Sequence, residues 1–379
     1  MTDTLNLNGR DLFWPPADEL TEAVERIRAS LGDWPPSHVT WRICLTAPDD
    51  VNGGDLIVLA DAHAATEPGQ HGDDSNAERI ARWQTQGAGV IEAFDNRATL
   101  HLGGVRYSLE GHLAEDWIAA LAAFLDCGFE PHNALTLALA WRDGDERDHT
   151  GEDAWPVDLA RFPRVTGLPD APAQPFARCP EQLGLYAVLP TADWVGRVVE
   201  LGVKTVQLRL KRAEPALLNS EIAHCVAAGR EHDAQVFIND HWQAAVEAGA
   251  YGVHLGQEDL TTANLSAIAA AGVRLGLSTH GYYELLTALH FRPSYVAFGA
   301  LFPTTTKVMP TAPQGLHRLA RFVRLLQGKV PLVAIGGIDL QALPRVLETG
   351  VGSAAVVRAI TEATDPAAAV SALQQAFQR

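Results

Sequence analysis

Between Leu185 and Val357, short apolar runs alternate with longer amphipathic stretches eight times over. The runs are Leu185–Leu189, Thr205–Leu208, Gln235–Ile238, Gly252–Leu255, Arg274–Leu277, Tyr295–Phe298, Pro331–Ile335 and Ser353–Val357. Each is too short for a helix and precedes a helical pattern, as in Ala216–Glu231, Trp242–Ala248 and Leu316–Leu326. A strand that is continuously apolar is covered on both faces, and strands joined through helices run parallel. Eight βα units in succession predict an α/β fold, a (β/α)8 barrel over residues 183–379, near the short end for that architecture. A doubly wound open sheet is the alternative that the periodicity leaves standing.

The first half obeys a different pattern. The stretch from Gly167 to Pro175 holds three prolines, at Pro169, Pro172 and Pro175, and can continue neither a helix nor a central strand. A linker is therefore placed at 167–182, after a smaller α+β domain at 1–166. In that domain Ala17–Leu31 is expected to be a helix. Val39–Leu45, Leu56–Ala60, Val90–Ala93, Ala98–Leu102 and Val105–Leu109 read as strands, and Ala114–Cys127 with Pro131–Trp141 as a helical pair. The segment Ala64–Ser75, rich in histidine, glycine and acidic residues, is expected to be a mobile loop.

Charge divides at the same place. Up to Pro180 there are 30 acidic residues against 13 arginines and no lysine, a balance of −17, whereas 16 acidic and 16 basic residues cancel from Glu181 onward. Such a first half repels nucleic acid and anionic lipid, so neither is an expected partner. No apolar run reaches membrane length, and Met1–Leu5 has no basic or apolar leader. The cysteines Cys44, Cys127, Cys179 and Cys225 show no CxxC spacing, which fits a reducing cytoplasm better than a disulfide framework or a zinc site. A homo-oligomer is compatible with all of this. The neutral second half needs locally placed cations if it is to hold anions.

In a barrel of this kind the active site lies at the C-terminal ends of the strands. The second strand ends Gln207-Leu208-Arg209-Leu210-Lys211, and a period of two puts Gln207, Arg209 and Lys211 on one face. A forked guanidinium and a point-charge ammonium suit a polyphosphate; the bland alternative is a solvated strand end. Only four lysines occur, Lys204, Lys211, Lys307 and Lys329, and two of them fall at barrel-mouth positions. The third strand leads to Asn239-Asp240 and the fourth to Asp259. Carboxylates from adjacent strand ends can hold Mg²⁺ through oxygen, although Asp240 also fits a helix N-cap. His254 lies within its strand and reads as a packed histidine. Ser278 ends the fifth strand. The sixth runs into a long loop with Thr304, Thr305, Thr306 and Lys307, suited to a lid or an anion site. Gly337 after the seventh strand and the Val357-Arg358 turn after the eighth let backbone N–H groups approach a phosphate. There are thus two anion sites: Arg209, Lys211, Asn239, Asp240, Asp259, Ser278 and Lys307 at one, and Thr304, Thr306, Gly337 and the 357–358 turn at the other. Two sites suit the joining of a diphosphate to a monophosphate substrate.

The segments VQLRLK, VFINDHWQAAVEAGAYGVHLGQED, LGLSTH, FGALFPTTTK, MPTAPQGL, VAIGGI and GVGSAAVVRAI, in this order, closely resemble the thiamine-phosphate synthase family. The resemblance spans nearly all of Leu183–Ile360. It implies that 4-amino-2-methyl-5-(diphosphooxymethyl)pyrimidine condenses with a (carboxy)methylthiazole ethyl phosphate, giving thiamine phosphate and pyrophosphate in thiamine biosynthesis. It implies diphosphate-pyrimidine binding by Gln207, Leu208, Arg209, Leu210 and Lys211, with Asn239, Ser278 and Lys307. It assigns Mg²⁺ to Asp240 and Asp259, and the thiazole phosphate to Thr304, Thr305, Thr306, Gly337, Val357 and Arg358. Arg358 departs from the family, where serine is common. The implied chemistry is dissociative and needs charge stabilisation rather than a side-chain nucleophile or base. Three rival functions remain: a thiazole tautomerase-like relative, a non-catalytic regulatory relative, and a bifunctional pyrimidine kinase-synthase. Gly111–Glu146 faintly resembles the helical end of a ribokinase-like pyrimidine kinase, without its glycine-rich anion hole or catalytic aspartate.

Overall fold

A computed structural model describes residues 12–35, 37–60, 76–142, 153–211, 213–304 and 311–378. The chain divides into two compact units, Met1–Leu168 and Pro169–Arg379.

The first unit is built on a seven-stranded sheet in sequence order: β1 (Phe13–Trp14), β2 (Arg42–Cys44), β3 (Asp55–Ala60), β4 (Gly89–Phe94), β5 (Arg97–Leu102), β6 (Val105–Glu110) and β7 (Arg164–Val165). Pairing is parallel from β1 to β4 and antiparallel from β4 to β7. The switch follows from chain length: two residues separate β4 from β5 and β5 from β6, enough for a hairpin and too few for a crossover. The helices Trp117–Asp126 and Pro131–Ala140 are buried over most of their length, as their alanine and leucine content requires. Trp34 stacks on Trp155 at 4.8 Å, and Phe124 meets the same ring edge-on at 5.2 Å. The described elements that escaped the periodicity are two strands, one helix and the short 3₁₀ turn Leu159–Arg161. Strands β1 and β7 are two residues each, and the helix Asn76–Thr85 buries only Ile80 and Trp83. The segment Ala64–Ser75, read as a loop, lies outside the described residues.

The second unit is a closed barrel of eight parallel strands: β8 (Gly184–Leu189), β9 (Thr205–Leu208), β10 (Gln235–Asn239), β11 (Gly252–Leu255), β12 (Arg274–Thr279), β13 (Tyr295–Phe298), β14 (Leu332–Ile335) and β15 (Ser353–Val356). All eight lie where the apolar runs predicted them. Pairing of β15 with β8, from Ser353 opposite Gly184 to Val356 opposite Ala187, closes the ring and removes the open-sheet alternative. Tyr186, Val188, Phe237, Tyr295, Ala297, Val333 and Ala355 pack together in the interior. One mid-strand glycine makes room for a ring there: a Cβ on Gly276 would stand 2.2 Å from Cζ of Tyr295.

Residues 169–178, within the segment read as a linker, are tied to the N-terminal ends of the strands. The Pro169 carbonyl meets His290 Nε2 at 2.8 Å, and the Pro172 carbonyl accepts from Arg292. The Ala177 carbonyl accepts from Ser294 Oγ at 2.7 Å and the Arg178 carbonyl from Arg274 Nε at 2.9 Å. These residues form a strap on the barrel floor.

Candidate active site

A cavity of about 680 Å³ opens at the C-terminal ends of the barrel strands. Among the residues singled out from sequence, Gln207, Arg209, Asn239, Asp240, Ser278, Thr304, Gly337, Val357 and Arg358 line it. Others do not. Leu208 is buried, and Leu210 is half-buried with its carbonyl 3.0 Å from His241 Nε2. Lys211 is exposed and Asp259 half-buried, and neither lines the cavity. Thr305, Thr306 and Lys307 lie outside the described residues.

The period of two explains Gln207 and Arg209 but lapses at Lys211, because β9 ends at Leu208. Gln207 is buried, its Nε2 donating to Tyr186 Oη at 3.0 Å. Burial pulls the Arg209 guanidinium below its ordinary pKa while Asp240 opposes the shift. A partly desolvated cation facing a cavity favours the entry of an anion.

Asp240 reaches the cavity by a different route. It follows the inward-facing Asn239, so alternation alone would send it outward. Its φ of +63° turns the chain instead, and its N–H donates to the His254 carbonyl at 3.0 Å. Aspartate is one of the few residues that tolerate this conformation. The reading of Asp240 as a helix N-cap fails: the next helix is Trp242–Ala248, its cap residue is His241, and no side chain caps it. Burial first, then the neighbouring Asp259, push the Asp240 carboxyl above its usual range. Asp259 sits in the turn Glu258–Thr261, where Oδ2 accepts the Gly256 N–H at 2.8 Å. The Asp240 carboxylate accepts no hydrogen bond from the described residues. Asp240 and Asp259 supply oxygen atoms of the kind a hard divalent cation takes; among the described residues no group of three or more His, Cys, Asp or Glu side chains gathers to hold one.

The far wall is made by backbone. Gly337 has φ +68°, and a Cβ there would lie 2.8 Å from both Phe302 Cβ and the Pro303 carbonyl oxygen, so only glycine lets these loops meet. Val357 precedes the short helix Arg358–Thr361, and the Arg358 side chain is exposed at the cavity edge.

Among the further lining residues that sequence reasoning did not select are His254, Glu258 and His280. His254 is packed, as expected, yet its Nε2 lies 2.8 Å from Ser278 Oγ and its Nδ1 2.7 Å from Tyr295 Oη. His280 Nδ1 lies 2.7 Å from Glu284 Oε2, the same oxygen that accepts the His280 N–H. Glu258 and His280 follow strand ends, so the positional rule that found Ser278 also points to them. Among the described residues, no helix is long and apolar enough to cross a membrane.

Residues 185–360 match the family model described as thiamine monophosphate synthase. The thiamine-phosphate synthase of Neisseria meningitidis serogroup B is 62% identical over 192 residues, 51% of this chain and 93% of that protein. The thiamine-phosphate synthase of Pectobacterium atrosepticum is 53% identical over 191 residues, covering 50% and 90%. A solved structure of thiamine phosphate pyrophosphorylase from Pyrococcus furiosus is 31% identical with a TM-score of 0.46, covering 52% of this chain and 96% of that one. With relatives matched over nine-tenths of their length at such identity, the chain belongs to the thiamine-phosphate synthase family through its C-terminal barrel.

Proposed function

We propose that the barrel condenses 4-amino-2-methyl-5-(diphosphooxymethyl)pyrimidine with a 4-methyl-5-(2-phosphoethyl)thiazole, with or without a 2-carboxyl group, and releases pyrophosphate. The observation that carries this reading is one cavity with two unlike walls. The first presents Arg209 beside Asp240, with Asn239 and Ser278; the second presents Gly337 and the 357–358 turn. The diphosphate end of the pyrimidine occupies the first wall and the thiazole phosphate the second. Asp240 and Asp259 hold Mg²⁺, which when bound offsets charge on the departing pyrophosphate. Arg209 supplies a fixed cation to the same group, and Ser278 a hydroxyl donor. The two substrates, filling the barrel mouth, keep water from the reactive pyrimidine centre until the thiazole nitrogen captures it. Lys211, at the rim, and Lys307 belong to this diphosphate site in the proposal, and Thr304 to Thr306 to the thiazole phosphate site.

The domain of residues 1–166 takes no part in this chemistry. Its acidic surface serves solubility.

The test is a two-substrate assay with Mg²⁺. Full-length protein should release pyrophosphate and thiamine phosphate, and a chain beginning at Pro169 should do the same. Binding of both substrates without release would move the reading to a regulatory protein. ATP-dependent phosphorylation of the pyrimidine, lost on truncation, would give residues 1–166 a catalytic role.

A further inference from the structure

Five side chains from five strands join in an unbroken series beneath the cavity. Gln207 Nε2 donates to Tyr186 Oη at 3.0 Å; Tyr186 Oη lies 2.9 Å from Tyr295 Oη; Tyr295 Oη lies 2.7 Å from His254 Nδ1; and His254 Nε2 lies 2.8 Å from Ser278 Oγ. The middle of the series is sealed: Tyr186 is 1% and Tyr295 0% exposed. Both ends, Gln207 and Ser278, open into the cavity.

Counting protons fixes how such a series can be filled. Each tyrosine has one hydroxyl proton and a neutral imidazole has one N–H. With Gln207 Nε2 donating at one end, Tyr186 must donate to Tyr295, and Tyr295 to His254 Nδ1. His254 then carries its proton on Nε2 and donates to Ser278, whose own proton is left for the cavity. The amide oxygen of Gln207 is left as an acceptor. One other filling satisfies every link, the reverse: Ser278 donates inward, His254 carries Nδ1–H, and Gln207 turns its NH₂ toward the cavity. Any mixture leaves either a buried link without a proton or a buried tyrosine proton without an acceptor, and a low-dielectric interior penalises both.

A diphosphate can only accept hydrogen bonds, so a serine that holds one must donate. That selects the first filling, the one in which Gln207 Nε2 donates to Tyr186. We propose that Tyr186, Tyr295 and His254 are positioning residues that lock two recognition events together. While Ser278 donates to the diphosphate, Gln207 presents a carbonyl oxygen and so accepts from an amino group on the substrate ring. This rests on the diphosphate-aminopyrimidine reading above. It adds a specificity rule: a ring bearing an exocyclic amino donor is selected over the 4-oxo analogue, and the selection passes through two sealed tyrosines, Tyr186 and Tyr295, that do not line the cavity.

The series can be interrogated without turnover. Selective ¹⁵N-histidine labelling of the full-length protein, with the His254 signal assigned by difference from His254→Gln, reports which ring nitrogen carries the proton. Nε2–H is expected in the free protein and with inorganic pyrophosphate and Mg²⁺; a dominant Nδ1–H tautomer overturns the proposal. Kinetics supply the second arm. Tyr295→Phe and Tyr186→Phe keep ring volume and each remove a hydroxyl that makes two of the four links. Each should lower the preference for the 4-amino diphosphate over its 4-oxo analogue by about tenfold. The double variant should lose no more than either single one, because one series is broken either way. Full discrimination in both variants, or losses that multiply, would sink the idea. A wild-type protein that releases no pyrophosphate refutes the proposed function instead, and the tautomer then decides the series alone.

Discussion

Replacing Gly276 by alanine is a direct test of how the barrel interior is packed. An ideal Cβ at this position would stand 2.2 Å from Cζ, 2.3 Å from Cε1 and 2.4 Å from Oη of Tyr295. Comfortable carbon contacts are about 3.5–4.0 Å, so the ring must retreat by more than about 1 Å. It has little room to do so. Phe237 lies 5.2 Å away, His254 5.6 Å and Tyr186 6.0 Å, measured between ring centres, and Tyr295 has no exposed surface. Overpacking of this kind costs about 1–3 kcal/mol. For a unit of this size that lowers the melting temperature by about 2–12 °C. Differential scanning calorimetry reads the shift. The control is the same substitution in a Tyr295→Leu background, where all three clashing atoms are gone and alanine should cost almost nothing. Equal penalties in the two backgrounds, or a Gly276→Ala protein within about 0.5 kcal/mol of wild type, would falsify the close-approach account.

Three other perturbations separate chemistry from scaffold. Asp240→Asn should abolish Mg²⁺-dependent turnover without lowering the melting temperature of the metal-free protein, since it removes a carboxylate that burial and Asp259 disfavour. A raised folded-state pKa means that ionised Asp240 costs the fold stability above that pKa, and the cost vanishes as pH falls through it. Cation binding needs the ionised form, so metal affinity measured by titration calorimetry should start to fall above the ordinary aspartate range, near about 3.9. Gly337→Ala combines a left-handed φ with contacts of 2.8 Å and should weaken thiazole phosphate binding more than diphosphate binding, read as separate inhibition constants for the two ligands. A chain beginning at Leu183 lacks the strap and its four carbonyl contacts with the barrel floor; at about 1 kcal/mol each it should be about 2–5 kcal/mol less stable in urea than one beginning at Pro169.

The strap also shows where sequence reasoning reaches its limit. Three prolines mark a place where no helix or central strand continues, because proline removes a donor and fixes φ. They could not mark it as free. Each of the four strap hydrogen bonds uses a backbone carbonyl, which any residue supplies, against side chains from Arg274 to Ser294 that look unremarkable in their own segments. The barrel strands were legible for the opposite reason: each is a short apolar run, and its neighbours are predictable from order alone. Closure was expected from the count of eight units, but the pairing that secures it, β15 meeting β8 across the whole unit, is visible only in the fold. In the first unit the helix Asn76–Thr85 was missed because two buried side chains, Ile80 and Trp83, leave no stripe to detect.

The site divides along the same line between what position dictates and what backbone turns dictate. Gln207 and Arg209 were found because alternation carries both inward. Lys211 was grouped with them by extending that alternation past Leu208, where the strand that enforces it has ended. Asp240 was found by its chemistry, although alternation pointed it away; a positive φ brings it back. His254 was read from its place within the strand as packed; it is packed, and it also connects Tyr295 to Ser278. One sequence signal did point to that connection. A glycine inside an otherwise apolar strand marks a neighbour that needs the space, and Gly276 yields its space to Tyr295. The residue that carries no side chain therefore holds the central link of the hydrogen-bonded series in register, and the alanine substitution and the tyrosine variants probe one structure from its two sides.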